Sequence, residues 1–125
     1  MNRKDFDAHC SSLKATTHVE QWGGASVWKI GGKIFAICSQ WGKGPQRRIS
    51  FKCSELTYTI LCEQPGIVPA PYLARAKWVQ IEDPSAMSDE DTRAYINAAY
   101  AIISAKLTKK QRLELGLMGA PSSNV

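Results

Sequence analysis

The chain has 125 residues, 44% apolar and 22% charged, and its 16 basic and 11 acidic side chains leave a net charge of +5. That length suits one domain with one core, and the composition excludes a disordered chain. The apolar runs are only a few residues long, too short for a bilayer-crossing helix. The first residues, MNRKDFDAHC, are charged and lack the apolar centre of a signal peptide, so a cytoplasmic location is expected.

Residues 2–14 read as a helix capped by Asn2, with Phe6, Cys10 and Leu13 along one face. Residues 15–24 are rich in turn formers and have room for one short strand. SVWKI-GG-KIFAIC is then a hairpin whose Gly31-Gly32 pair supplies the positive φ angles of a two-residue turn. The simplest register sets Trp28 opposite Phe35, on a face shared with Ile30 and Ile37. Val27, Lys29, Ile34 and Ala36 take the other face.

After the loop QWGKGPQ, the stretch RRISFKC alternates as a strand. Ile49, Phe51 and Cys53 point one way, and Arg48, Ser50 and Lys52 the other. Ser54 opens a helix to about Glu63 that ends before Pro65-Gly66. IVPAPYLARA is irregular because Pro69 and Pro71 cannot donate to a ladder. KWVQIE, residues 77–82, is the next strand. Ser88, followed by Asp89, Glu90 and Asp91, has the pattern of a capping box opening a helix to about Leu107. Tyr95, Ile96, Ala99, Ile102, Ile103 and Leu107 form its apolar stripe. A shorter helical turn, QRLELGLM, follows.

The predicted order α-β-β-β-α-β-β-α makes an α+β domain of two layers, an antiparallel sheet with helices on one face. Residues 1–118 form this single domain, and 119–125 are expected to be a flexible tail.

Four cysteines, none in a C-x-x-C pair, and two histidines, His9 and His18, complete no zinc-ligand spacing. No metal or cofactor is therefore expected. No G-x-S-x-G elbow, P-loop or dinucleotide fingerprint is present, and the acids are accounted for by turns and helix caps. The chain reads as non-enzymatic.

Charge is the uneven feature. From Gln21 to Ser54 there are six cations, Lys29, Lys33, Lys43, Arg47, Arg48 and Lys52, and no acid. An uncovered sheet face would set Lys29, Arg48 and Lys52 in a row, extended by Lys43 and Arg47 of the loop. Such cations could neutralise phosphates while Trp41 stacks on a base. The plain alternatives are a solvated basic surface and a Trp41 folded onto its own hairpin. Tyr72, Lys77 and Trp78 form a second group. Either Trp78 faces outward and joins the basic face, or it packs under Pro69-Ala70-Pro71. A protein-interaction module is the rival class, with the apolar LGLMGAP tail as its candidate surface.

VWKIGGKIFAI, RISFKC, PGIVPAPYL, KWV and AAYAIISAKLTKKQR together resemble the MmcQ/YjbR-like family, small bacterial proteins, in the family's order over most of residues 9–113. The resemblance implies a secretion-chaperone-like fold. It also implies a DNA-binding role through a proposed double-wing motif. Two departures stand out: Ala99 precedes Tyr100 where the family usually has serine, and the 40–48 loop is richer in Trp and cations.

Overall fold

The computed structural model describes residues 1–42, 44 and 46–117. The expected tail at 119–125 and part of the LGLMGAP stretch lie outside the described residues. Helix α1 (Arg3–Ser12) starts where the Asn2 side chain accepts the Asp5 N–H, and it buries Phe6 and Cys10. Strands β1 (Thr16–Gln21), β2 (Ala25–Ile30), β3 (Lys33–Ser39) and β4 (Arg48–Lys52) then run as an antiparallel meander. Helix α2 (Glu55–Cys62) is capped by Ser54, and β5 (Ile67–Pro69) and β6 (Trp78–Ile81) complete the sheet in the order β1-β2-β3-β4-β6-β5. Helix α3 (Asp89–Ser104) begins at Ser88, whose hydroxyl accepts the Asp91 N–H. A short α4 (Lys109–Glu114) carries a full capping box between Thr108 and Gln111.

The α+β class with its helices on one face is as the sequence indicates. The main addition is a full six-residue β1 in the turn-rich entry, and the first of the two strands expected after α2 is a short edge strand at Ile67–Pro69, within the stretch read as irregular. Pro69 is tolerated there because an edge position asks for fewer ladder donors. Residue 77 lies outside the last strand. Lys77 has a left-handed backbone (φ 63°) and closes a 3-10 turn at Ala74–Ala76.

The hairpin turn at Gly31-Gly32 forms with φ angles of 59° and 82°. Gly31 also allows a close approach, since a Cβ there would lie 2.6 Å from Leu107 Cδ2. The register differs from the simple one. Trp28 pairs with Ala36 and Lys29 with Ile34, which leaves Phe35 as the extra residue of a bulge. Phe35 and Ala36 therefore both reach the helix-side core, and Ile37 turns to the opposite face. A one-residue insertion flips every later side chain, which corrects the expected Trp28–Ile37 face.

The main core lies between sheet and helices. Trp28, Ile30, Phe35, Phe51 and Val79 meet Phe6, Leu61, Ile96, Ala99 and Ile103. Phe51 stacks on Tyr95 with centroids 5.8 Å apart, and Phe35 meets Tyr100 edge-on. Ala99 is fully buried in this layer.

Cys10, Cys38 and Cys53 are buried in the core, and Cys62 is half-buried. Burial pushes the Cys38 thiol up to about 11 and the Cys53 thiol up to about 12. It raises Cys10 and Cys62 as well. Thiolate is the reactive form, so at pH 8 these thiols are protonated and shielded. A disulfide-exchange reagent at pH 8 is expected to leave Cys10, Cys38 and Cys53 of the native protein unreacted, with half-buried Cys62 labelled slowly at most, and to titrate all four thiols in denaturant. Because the folded values are raised, the stability they contribute is full below about pH 8.5 and falls as pH rises towards 11–12. Rapid native labelling of one thiol at pH 8 would contradict this burial.

Candidate functional site

The sheet face turned away from the helices is covered. Ala25, Val27, Ile37, Ala70 and Trp78 form a second apolar cluster there, packed by Val19, Ile34, Trp41 and Leu73. One register row crosses it as Val19, Val27, Ile37, Ser50, Gln80 and Val68. The expectation of an open, solvated basic face fails because Trp41, Ala70 and Leu73 pack over it.

Trp41 is the centre of that cover. Its N–H donates to Ser39 Oγ (3.3 Å), and its carbonyl accepts from Gln80 Nε2 (2.9 Å) and from Arg48 Nη1 (3.4 Å). Its ring lies 5.5 Å from that of Trp22 at 45° and 5.4 Å from that of Tyr72 at 84°. Together with Ile34, Ile37, Leu73 and Trp78 these rings line a cavity of about 480 Å³. Such a volume is in the range of small-ligand sites. Trp41 is thus both tucked onto its own sheet and part of a pocket wall.

Two wall residues have costly backbones. Trp22 and Tyr72 adopt left-handed conformations, φ 50° and 68°. Each costs roughly 1–2 kcal/mol for a residue with a Cβ. Neither ring is compensated by full burial, since Trp22 is 53% and Tyr72 88% exposed. Unfavourable backbone under exposed aromatics is a pattern of binding sites.

The cations separate into different roles. Arg48 is 3% exposed, and its guanidinium reaches the Trp41 and Gln46 carbonyls under the loop. It holds the loop from below instead of facing solvent. Lys29 pairs with Ile34 and Arg48 with Ser39, so the two lie at opposite ends of the face and form no row. Arg47 is exposed and donates to the Gly24 carbonyl, 3.3 Å away and two residues past Trp22. Lys43 lies outside the described residues. Lys52 Nζ donates to the Ala76 carbonyl, and burial together with Lys106 holds its ammonium below the ordinary lysine value. Lys77 Nζ stands 5.0 Å over the Tyr58 ring of α2, away from Trp78. Trp78 itself faces the outer side and is 5% exposed, beside Ala70 and Leu73. Both parts of that alternative hold: outward, and covered.

Carboxylates avoid this face. Residues 21–54 and 64–81, which supply β2–β6 and their covering loops, contain no Asp or Glu. The acid within the strands, Glu20, alternates to the helix side and pairs with Arg3 at 2.5 Å, and Glu82, directly after β6, is exposed at the end of the sheet.

A polar group on the helix side escaped sequence reasoning. Asp7 Oδ1 accepts from Ser26 Oγ (2.5 Å) and Trp28 Nε1 (2.9 Å), and His18 Nε2 lies 2.8 Å from Ser26 Oγ. Serine, histidine and carboxylate thus meet, but Ser26 is fully buried and its hydrogen goes to Asp7. That arrangement docks α1 on the sheet and offers no accessible nucleophile. Among the described residues no group of three or more His, Cys, Asp or Glu side chains could hold a metal ion. Nor is any helix among them long and apolar enough to cross a membrane.

Comparison with known proteins gives a consistent family. A solved Deinococcus radiodurans protein with a DUF419 domain is similar over 94% of this chain and 89% of its own, with TM-score 0.79 and 20% identity. A Pseudomonas syringae structure aligns over 82% of this chain and 99% of its own, with TM-score 0.67 and 18% identity. At such identity they speak for the fold. No curated protein matches. The YjbR family model matches residues 11–102, most of the described fold, and the chain belongs to the YjbR family.

Proposed function

We propose that this chain is a non-enzymatic nucleic-acid-binding protein of the cytoplasm that meets DNA with the outer sheet face and its two covering loops. The observation that supports the reading is an aromatic-walled cavity set in segments free of carboxylates. Aromatic rings supply stacking, and Lys29, Arg47 and the neighbouring Lys33 supply the positive field that a phosphate chain needs. Buried Arg48 is left out of the contact set, as is Lys77, which stands over Tyr58 of α2, and Lys52 lies at the far end of the face.

Fluorescence anisotropy of labelled DNA at several salt concentrations tests this. Three phosphate contacts give log affinity a slope of about −2 to −3 against log salt. A Trp41→Ala, Arg47→Ala double variant, folded by circular dichroism, is expected to bind at least tenfold more weakly. No binding at low salt would overturn the proposal.

A protein-binding role is the second reading, favoured by the exposed Trp22 and Tyr72 and by Leu56 and Ile60 on α2. Among the described C-terminal residues, Leu115 and Leu117 pack against the helix-side core and Leu113 is well exposed, which gives less support to that end of the chain. Apolar association would be nearly indifferent to salt, or strengthened by it.

A further inference from the structure

We infer that the cavity walled by Trp22, Trp41, Tyr72 and Trp78 seats a single unpaired nucleobase, so that the ligand of this face is a single strand. The inference rests on the nucleic-acid reading above and specifies its contact.

The shape of the site argues for insertion. Its walls are aromatic and aliphatic side chains around a concavity of about 480 Å³. A paired base in a duplex offers only its edge to a groove, and its faces are covered by its neighbours. To fill such a concavity a base must leave the stack, which costs least when it is already unpaired. The three surface rings meet at 45° and 84°, so none lies flat on its neighbour. With Tyr72 88% and Trp22 53% exposed, ring faces remain available for stacking.

Charge argues for a ring attached to phosphate and against a neutral apolar side chain. Every acid of the chain lies outside residues 21–54 and 64–81, whereas Lys29, Lys33, Arg47 and Arg75 lie within them. A base in the cavity would carry its flanking phosphates onto this carboxylate-free surround. Trp41 is also tied down before any ligand arrives, since its amide donates to Ser39 and its carbonyl accepts from Gln80. Trp22 and Tyr72, both with left-handed backbones, set their rings 5.5 and 5.4 Å from that of Trp41. Because apolar groups dominate the lining, the seat should accept different bases with little discrimination.

The test uses three labelled probes of equal length, a thymidine strand, an all-abasic strand with the same phosphates, and a duplex, with free thymidine monophosphate as competitor. The thymidine strand is expected to bind at least tenfold tighter than either of the others and to quench tryptophan emission. Tyr72→Ala, at a surface position, is expected to bring it within about threefold of the abasic strand while abasic binding stays unchanged. Equal binding of thymidine and abasic strands would overturn the base seat and leave the phosphate contact standing. Duplex binding as tight as the single strand would overturn the strand preference. Free monophosphate binding as tightly as the strand would assign the seat to a free nucleotide and overturn the inference. Failure of all probes at low salt would remove the nucleic-acid reading and this inference together.

Discussion

Replacing Asp7 with alanine is expected to destabilise the protein by about 2–4 kcal/mol, less than the full sum of two charge-assisted hydrogen bonds because the carboxylate is partly exposed. Its carboxylate takes the Ser26 hydroxyl and the Trp28 indole N–H, at 2.5 and 2.9 Å, and it lies 3.5 Å from Arg3 Nε. Ser26 would keep His18 as a partner, but Trp28, only 7% exposed, would keep a buried donor without its acceptor. Urea unfolding would show a lower midpoint at unchanged slope. Asp7→Asn, which retains an acceptor oxygen, should lose about half as much. A loss below roughly 1 kcal/mol would mean that the other contacts of α1, buried Phe6 and Cys10 with the Arg3–Glu20 pair, hold it without the polar group.

Arg48→Ala separates two roles for a cation. A solvent-facing phosphate contact would weaken DNA binding and leave stability alone. The observed Arg48 is buried, reaches the Trp41 and Gln46 carbonyls, and lies so close to the loop that a Cβ on Gly42 would come within 3.0 Å of its guanidinium. Truncation should therefore cost about 2–4 kcal/mol through lost packing and weakened loop hydrogen bonds. It should also loosen residues 40–47, seen as faster proteolysis there and a flattened near-ultraviolet tryptophan signal. Arg48→Lys should recover only part of the loss, since a single ammonium lacks the planar fork. Unchanged stability with weakened DNA binding would return Arg48 to the solvent face.

The helices and central strands were legible because their signals are local. Asn2, Ser54 and Ser88 announce caps, Gly31-Gly32 announces a turn, and Ile49, Phe51 and Cys53 announce a buried face. The bulge at Phe35 was not legible, because alternation carries no mark for an extra residue among Ile34, Phe35, Ala36 and Ile37. Strand β1 was hidden because its side chains are mostly half-buried or exposed, leaving TTHVEQ with little apolar period. The site was half legible. Trp41, Tyr72 and Trp78 were each conspicuous, but only the β4–β6 pairing and the fold of the 70–77 segment bring them together. Trp22 lies in the turn-rich stretch 15–24, outside any alternating run. A bulky aromatic directly before Gly23-Gly24 was the available signal. Arg48 misled because alternation gives the face of a side chain and says nothing of what lies on top of it.

The strand order also distributes the entropy of folding unevenly along the chain. Between β1 and β4 each strand meets the next through a short turn or loop, so these ladders can zip in sequence. The β4–β6 ladder is different, because Lys52 meets Trp78 only after α2, β5 and the 3-10 turn have been spanned. Closing that gap of roughly 25 residues costs about 2 kcal/mol more than closing a two-residue turn, at about 0.6 kcal/mol per doubling of length. Residues 16–52 are thus the part of the sheet that chain statistics favour to form early, and β6 arrives as the late central strand. The cavity floor at Trp78 is laid down with that last strand, so the pocket is completed at the end of folding.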